Sequence, residues 1–386
     1  MIKKLILLIC IVFLSAKKEL VITKYFDNKP AIAIEYHGNS DVLKILKMDL
    51  SVLDHFNYTI NQDSNATNRF VFNFTPKKLD VKYYKQNNLV QERIYTSSTY
   101  AYFPFLVHRA VYDINKYFNL PEAKFLTRKV IYSLLVAPKQ ANIYMADYTL
   151  SYKRLIVSGG LNIFPKWADS KQDTIYYTKL GKYAVLYKLN LRTGNKDRLL
   201  SSPGMLIVSD VKGNKLLLTL APHDAPDVYE YLLDKHKLIR LTTYGGIDVN
   251  GKFWGDDKIV FVSDRYGAPF VFSKNLKTGE VKRVLYHGNN QVGVDAYGKY
   301  IVVSSRETNN AFGKNTFNLF LINKDDDSLK RLTYKGQNSF PNFSVDGNSI
   351  MFIKRENFYS KIGIIRLNED KVFYYPLPKI LQSFDW

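Results

Sequence analysis

The chain has 386 residues, 46% hydrophobic residues, a formal net charge of +20 and one cysteine, Cys10. If Cys10 is lost with an export signal, disulfides, thiolate catalysis and cysteine-bound metals are excluded together. A chain of this length and hydrophobicity can bury a sizeable core, in two domains. Nucleic acid is the usual partner of so basic a protein, but the positive charges are spread along the chain without a dense basic run. We therefore expect no nucleic-acid partner.

The first residues predict a secretory signal peptide. Lys3 and Lys4 precede the apolar run 5–14, and the small residues Ser15 and Ala16 follow it. This is the three-part layout of an export signal, and the run is shorter than the roughly 20 residues that span a membrane. We expect residues 1–16 to be removed after about Ala16, which places the mature chain outside the cytoplasm.

Residues 17–125 predict a compact α/β domain. Two segments have apolar residues at helical spacing: 40–56, with Ser40 as its cap, and 104–118, with Pro104 in the first turn. The segments rich in β-branched and aromatic residues predict strands. These strand segments are 31–36, 69–74, 79–84 and 92–96.

A repeat of about 40 to 50 residues runs from residue 126 to the end and predicts propeller blades. Three landmarks keep this period: the start of an apolar strand, a basic residue followed by an apolar one, and a glycine a few residues later. The strands begin at Ile131, Ile175, Leu216, Ile259, Ile301 and Ile350. The basic residues are Arg154, Arg198, Arg240, Arg283 and Arg331, and the glycines are Gly159, Gly204, Gly245, Gly288 and Gly336. The fold class is therefore an α/β N-terminal domain followed by an all-β six-bladed β-propeller.

The tail of the chain is expected to close the propeller. Segments such as 164–167 and 340–343 precede later blades and predict innermost strands, but none precedes the first blade, and residues 381–386 resemble such a strand with no blade after it. An open edge strand exposes unpaired backbone groups. We therefore expect 381–386 to pair into the first blade, giving a propeller over 126–386.

Several polar and aromatic residues are expected to meet at one mouth of the propeller, because their loops join strands at the same end of the blades. Two alternatives stay open for them. His223 and His287 are either binding residues or ordinary loop residues, and Arg265 with Tyr266 is either a mouth contact or part of a turn capped by Asp264. The other candidates are Asn289, Arg306, Asn338 and Phe340. The sequence contains no nucleophile elbow, no phosphate-binding glycine loop and no pair of histidines at metal-ligand spacing. We therefore expect no catalysis and no cofactor.

Three stretches carry a resemblance to a known family: the opening strand around 30–34, the passage from 108–114 into 125–132, and the blade motif 261–267. Over nearly its whole mature length the chain resembles the TolB family of the Tol-Pal cell-envelope system. The resemblance is weaker around 309–315, where the fifth unit has an insertion, and in blades with degenerate motifs such as 210–213.

The resemblance implies a periplasmic scaffold with two partners. The propeller mouth would bind the lipoprotein Pal through the candidate residues named above. The segment 17–29 would leave the body and bind the C-terminal domain of TolA, with Leu20, Val21, Ile22, Tyr25 and Phe26 as its contacts. The system supports outer-membrane integrity and constriction at cell division, and further outer-membrane proteins or peptidoglycan remain open as partners.

Two rival functions remain. An exported propeller enzyme, either a lyase or a peptidase-like protein, would need converging histidines or a hydrolase domain, and the six histidines are not periodic. A propeller that binds peptidoglycan or polysaccharide would use some of the 29 tyrosines as stacking surfaces, although many of these alternate along predicted strands and are expected to be packing residues.

Overall fold

The computed structural model describes residues 29–62, 66–223, 225–311 and 315–386. The predicted signal peptide and the contacts predicted for TolA, Leu20 to Phe26, lie outside these residues. Within them, no helix is both long enough and apolar enough to cross a membrane.

The N-terminal domain is a five-stranded sheet with two helices packed against it. Its elements in chain order are β1 (Ala31–His37), α1 (Ser40–Leu53), β2 (Asn57–Ile60), β3 (Asn68–Thr75), β4 (Lys78–Lys85), β5 (Asn88–Thr96) and α2 (Phe103–Tyr117). The strand order is β2-β1-β3-β4-β5, with β2 and β3 parallel to β1. The apolar sides of both helices and of the sheet share one core, as expected for amphipathic elements that cover each other.

The helix ends explain where α1 lies. The side chain of Asn39 accepts a hydrogen bond from the Val42 backbone N–H (3.0 Å), so Asn39 is the cap and Ser40 is the first helical residue. The prediction of Ser40 as cap is wrong by one position. The helix ends at Leu53 because Asp54 adopts a left-handed φ of 55°.

The remaining strands form six four-stranded blades. Blade 1 contains β6 (Val130–Ala137), β7 (Gln140–Ala146) and β8 (Lys153–Val157), and blade 2 contains β9 (Leu161–Trp167), β10 (Thr174–Leu180), β11 (Ala184–Asn190) and β12 (Lys196–Ser202). Blade 3 contains β13 (Leu206–Lys212), β14 (Lys215–Leu220), β15 (Asp227–Leu232) and β16 (Lys237–Arg240), and blade 4 contains β17 (Asp248–Trp254), β18 (Lys258–Ser263), β19 (Phe270–Asn275) and β20 (Val281–Arg283). Blade 5 contains β21 (Gln291–Tyr297), β22 (Tyr300–Arg306), β23 (Phe317–Asn323) and β24 (Ser328–Arg331), and blade 6 contains β25 (Gln337–Phe343), β26 (Ser349–Arg355), β27 (Ser360–Arg366) and β28 (Lys371–Leu377). The fold class predicted from the repeat is confirmed.

The last strand, β29 (Leu381–Asp385), supplies the missing innermost strand of blade 1. It pairs antiparallel with β6, and Phe384 lies opposite Tyr132. The buried indole of Trp386 donates a hydrogen bond to the carbonyl of Phe343 in blade 6 (3.0 Å). The tail therefore bonds the two ends of the ring to each other.

The connections alternate between two faces of the propeller, because neighbouring strands within each blade are antiparallel. We call one the mouth face. It carries the loops from the second to the third strand of each blade and from the outermost strand to the next blade. The other we call the domain face, because the N-terminal domain packs there. On that face, the backbone N–H of Lys124 donates to Asp346 (2.7 Å) and the side chain of Asn348 donates to the carbonyl of Glu122 (3.1 Å).

A buried charged cluster joins the two domains. His108 on α2 lies between Asp49 on α1 (Nδ1 to Oδ1, 2.8 Å) and Asp147 in blade 1 (Nε2 to Oδ2, 3.2 Å), and all three are inaccessible to solvent. The hydroxyl of Tyr148 also donates to Asp49 (2.6 Å). Burial alone would lower the pKa of His108, but the two carboxylates outweigh it and raise this pKa to about 9. The imidazole is therefore charged at neutral pH and donates to both domains.

Candidate docking site on the mouth face

All the predicted mouth residues except Phe340 come from loops or strand ends on the mouth face. Tyr266 is 64% exposed, and His223 and Asn289 are also exposed. His287 and Arg306 are half-buried: the His287 ring lies 4.5 Å from that of Phe320, and Arg306 exchanges backbone hydrogen bonds with the Asn289–Asn290 loop. These residues belong to blades 3 to 5, so the predicted set covers one side of the mouth.

Two of the predicted residues, Asn338 and Arg265, make structural contacts inside the blades. The Asn338 amide is fully buried and donates to the carbonyls of Phe317 (2.8 Å) and Lys335 (3.0 Å). The Arg265 guanidinium pairs with the buried Asp248 (3.2 Å) and donates to the Ser263 hydroxyl (2.9 Å). Both side chains hold loops of the mouth face in place from below its surface.

Phe340 lies inside the channel, where it lines a cavity with Pro341 and Phe164. Its φ is 52°, in the left-handed region, and Phe164 and Asn250 have the same conformation at the equivalent positions of blades 2 and 4. At the irregularity of these three blades, three residue steps on the innermost strand oppose two on the second strand, whereas in blades 1, 3 and 5 two steps oppose one. The channel wall therefore alternates from blade to blade.

Exposed aromatic residues on the mouth face were missed by the sequence analysis. Tyr286 is 76% exposed, Tyr334 is 68% exposed and Phe358 is 85% exposed. Arg283 lies 4.8 Å from the ring centre of Tyr286, and Arg331 lies 4.9 Å from that of Tyr334. Such cation–π contacts stabilise an exposed ring by about 0.5–1 kcal/mol. Together with Tyr244 and Tyr266, these residues form what we call the aromatic arc, which runs from blade 3 to blade 6.

A signal for these tyrosines was present in the repeat. Tyr244, Tyr286 and Tyr334 each follow the basic landmark of their unit by three or four residues. Many of the tyrosines were expected to be packing residues in strands, and the landmark alone did not show that these three lie on connecting loops at the surface.

A ring of polar side chains closes the waist of the channel, one from each innermost strand. In blade order it consists of Asp385, Lys166, Asp210, Lys252, Asp295 and Asn342. Lys166 pairs with Asp385 (2.9 Å) and Lys252 with Asp295 (3.7 Å). Burial lowers the pKa of Lys166, whereas the carboxylates around Lys252 outweigh burial and raise its pKa. The charges of this ring therefore largely satisfy one another.

Each aspartate of the ring also links two blades. Asp385 accepts the backbone N–H of Trp167 (2.9 Å), Asp210 that of Phe253 (2.8 Å) and Asp295 that of Phe343 (2.7 Å). Charge-assisted bonds of this kind are strong where solvent is excluded. The ring of polar side chains therefore has a structural role, because it bonds neighbouring blades to each other at the centre of the propeller.

The described ranges contain no group of three or more His, Cys, Asp or Glu side chains that could hold a metal ion. Asp325, Asp326 and Asp327 form the turn between β23 and β24. The turns 190–194 and 275–279 occupy the same place in blades 2 and 4, on the domain face. Gly194 has a φ of 79° and Gly279 a φ of 77°, which glycine adopts without strain.

The fold defines the class of the protein. It is a six-bladed propeller, closed by its own C-terminal strand, which carries an α/β domain on one face and exposed aromatic loops on the other. A family model described as the TolB beta propeller domain matches residues 122–368.

Full-length relatives place the chain more narrowly. The Tol-Pal system protein TolB of Helicobacter hepaticus is 39% identical over 99% of this chain and 98% of the relative. That of Campylobacter jejuni is 40% identical over 89% of this chain and 87% of the relative. The chain belongs to the TolB family.

A solved structure shows the same fold. The crystal structure of TolB from Acinetobacter baumannii superposes with a TM-score of 0.77, covering 96% of this chain and 98% of that one, at 18% sequence identity. The likeness therefore extends over both the α/β domain and the propeller.

Proposed function

We propose that the protein is a periplasmic docking subunit of the Tol-Pal system and that its mouth face binds Pal. The observation that carries the proposal is the aromatic arc. Aromatic residues are enriched at the energetic centres of protein interfaces, and here Tyr286, Tyr334 and Phe358 are strongly exposed on the mouth-face loops.

The second partner is proposed to be TolA, bound by segment 17–29 after the signal peptide is removed. Lys29, the first described residue, pairs with Asp54 at the end of α1 (2.7 Å), so the segment is joined to the body at the N-terminal domain. The two partners would then bind at opposite ends of the molecule, which suits a subunit that connects the two membranes and supports outer-membrane integrity and constriction at division.

The Pal site can be tested by binding of the mature protein to the soluble domain of Pal. Tyr286→Ala and Tyr334→Ala are each expected to weaken binding by about tenfold, or ~1.4 kcal/mol. Tyr58→Ala, a tyrosine of comparable chemistry on the exposed strand β2, is the control and should bind as the wild type does. Equal affinity for all variants would contradict the proposed site. Binding of peptidoglycan fragments that is lost in the same two variants would favour the polysaccharide-binding alternative.

The TolA site needs a deletion. Removing residues 17–27 from the mature chain should abolish binding to the C-terminal domain of TolA and leave binding to Pal intact. Loss of both, with an unchanged melting temperature, would contradict the division of roles between segment and mouth.

A further inference from the structure

The two faces of the propeller differ in their carboxylates. The described mouth-face loops contain Asp264, Glu307 and Glu356, and each of the three is engaged. Asp264 accepts the backbone N–H of Ile247 (2.8 Å), Glu307 pairs with Arg331, and Glu356 pairs with Lys361 (2.8 Å). Asp224 also belongs to a mouth-face loop by sequence and lies outside the described residues.

Turns on the domain face are rich in carboxylates, and these neutralise the lysines beside them. Asp256 of blade 4 pairs with Lys212 of blade 3 (2.5 Å), and Asp257 pairs with Lys277 within blade 4 (2.7 Å). In blade 5, Asp325 pairs with Lys299 (2.9 Å). The positive charge of the chain is therefore partly cancelled on this face.

Six lysines on the mouth face form what we call the basic arc, which runs from the end of blade 5 through blades 6 and 1 to blade 2. They are Lys335, Lys354, Lys379, Lys139, Lys179 and Lys182. None of them has a carboxylate within ion-pair distance among the residues that the structure describes.

The lysines of the arc are held at the surface by uncharged contacts. Lys179 and Lys354 occupy equivalent positions, each packed over the glycine of the preceding loop, Gly160 or Gly336. Lys379 donates to the carbonyl of Val136 (3.1 Å). The ammonium groups therefore place positive charge that no described ion pair cancels on blades 6, 1 and 2 of the mouth, and the basic arc adjoins the aromatic arc where Lys335 follows Tyr334.

We infer that the basic arc attracts an acidic surface of the partner protein that the aromatic arc binds. This inference rests on the proposed function and adds the chemistry and orientation of the partner: its apolar patch would sit over blades 3 to 6, and its carboxylates over blades 6, 1 and 2. Clustered charge of one sign speeds encounter more than it strengthens the final complex, and salt suppresses the effect.

The test separates association from dissociation. The soluble domain of Pal is the probe, and the variant is the mature protein with K139E, K182E and K379E. At low salt, the association rate of this variant should fall by about tenfold or more, with a dissociation rate within about twofold of the wild type. The association rate of the wild type should decline with added salt, and that of the variant should depend on salt much less or in the opposite direction.

The matched control carries the same charge change on the domain face. Lys171, Lys235 and Lys237 are exposed there, and the variant K171E/K235E/K237E should retain the association rate of the wild type. Melting temperatures of all proteins should agree, because none of the six substitutions removes an ion pair. The variant Y286A/Y334A should show the complementary behaviour: a faster dissociation and a nearly unchanged association.

The outcomes distinguish the inference from the proposed function. If the wild type binds Pal and the arc variant associates equally fast, or if the domain-face control slows as much, the inference is overturned while the Pal site stands. If the arc variant instead loses binding to vesicles containing anionic phospholipid and keeps its Pal kinetics, the arc belongs to a membrane surface and the inference is overturned. If the wild type does not bind Pal at all, the proposed function fails and the inference falls with it.

Discussion

Replacing His108 tests the cluster that joins the two domains. In His108→Ala, Asp49 and Asp147 would stay buried without the imidazolium between them. Removing one partner of a buried charge pair costs about 3–5 kcal/mol of folding stability. The pKa of His108 gives an independent figure: a rise from 6.5 to about 9 corresponds to about 3 kcal/mol.

The pH dependence of stability gives the sharper test. Because the folded-state pKa of His108 lies above its unfolded value, the stabilisation is fully present below pH 6.5 and is lost as the pH rises through about 9. Urea unfolding of the wild type should therefore show a stability that falls across this window. The His108→Ala variant should start lower and lack this part of the decline.

His37→Ala is the control, because the His37 side chain is 58% exposed and its loss should leave the urea midpoint unchanged. A loss below about 1 kcal/mol in His108→Ala, or the same decline between pH 6.5 and 9 as in the wild type, would refute the role assigned to the charged imidazole.

Further variants test the closure of the propeller and the structural roles of residues in the mouth-face loops. Deleting residues 381–386 removes one strand and a buried tryptophan, so it should lower stability by several kcal/mol, and an unchanged melting temperature would contradict closure by the tail. Asn338→Ala leaves backbone carbonyls unpaired and should cost about 1–3 kcal/mol. Asn162→Ala, its equivalent in blade 2, should cost the same, and a harmless result for both would contradict their structural role. Arg265→Ala should lower the free energy of unfolding by about 3 kcal/mol because a buried carboxylate loses its partner. Tyr266→Ala should leave the free energy of unfolding unchanged, and similar losses in both variants would contradict this distinction.

Most of the propeller fold could be predicted from the sequence repeat. Ile131, Ile175 and Ile350 were predicted to begin strands, and each is the second residue of the second strand of a blade. The periodic arginines and glycines likewise fall on outermost strands and the loops that follow them. Such landmarks are visible in sequence because every blade has to solve the same packing problem.

The parts that escaped prediction depend on contacts between distant residues. His108 is completely buried, but its partners Asp49 and Asp147 lie on different elements, and only the docking of the two domains brings the three side chains together. Segregation of charge between the two faces is hidden in the same way. Sequence gives the number of lysines, whereas strand direction decides which face each one reaches.

The alternation along the channel has a consequence for how the ring can change. Blades 2, 4 and 6 contribute Lys166, Lys252 and Asn342 from distorted strands, and blades 1, 3 and 5 contribute aspartates. Two kinds of unit can alternate around a closed circle only if their total is even. Gaining or losing a single blade would set two like units side by side, with adjacent carboxylates or adjacent distortions at the seam. Blades should therefore be added to or removed from this propeller in pairs. Shortened or circularly permuted forms that lack two neighbouring blades should fold far better than forms that lack one.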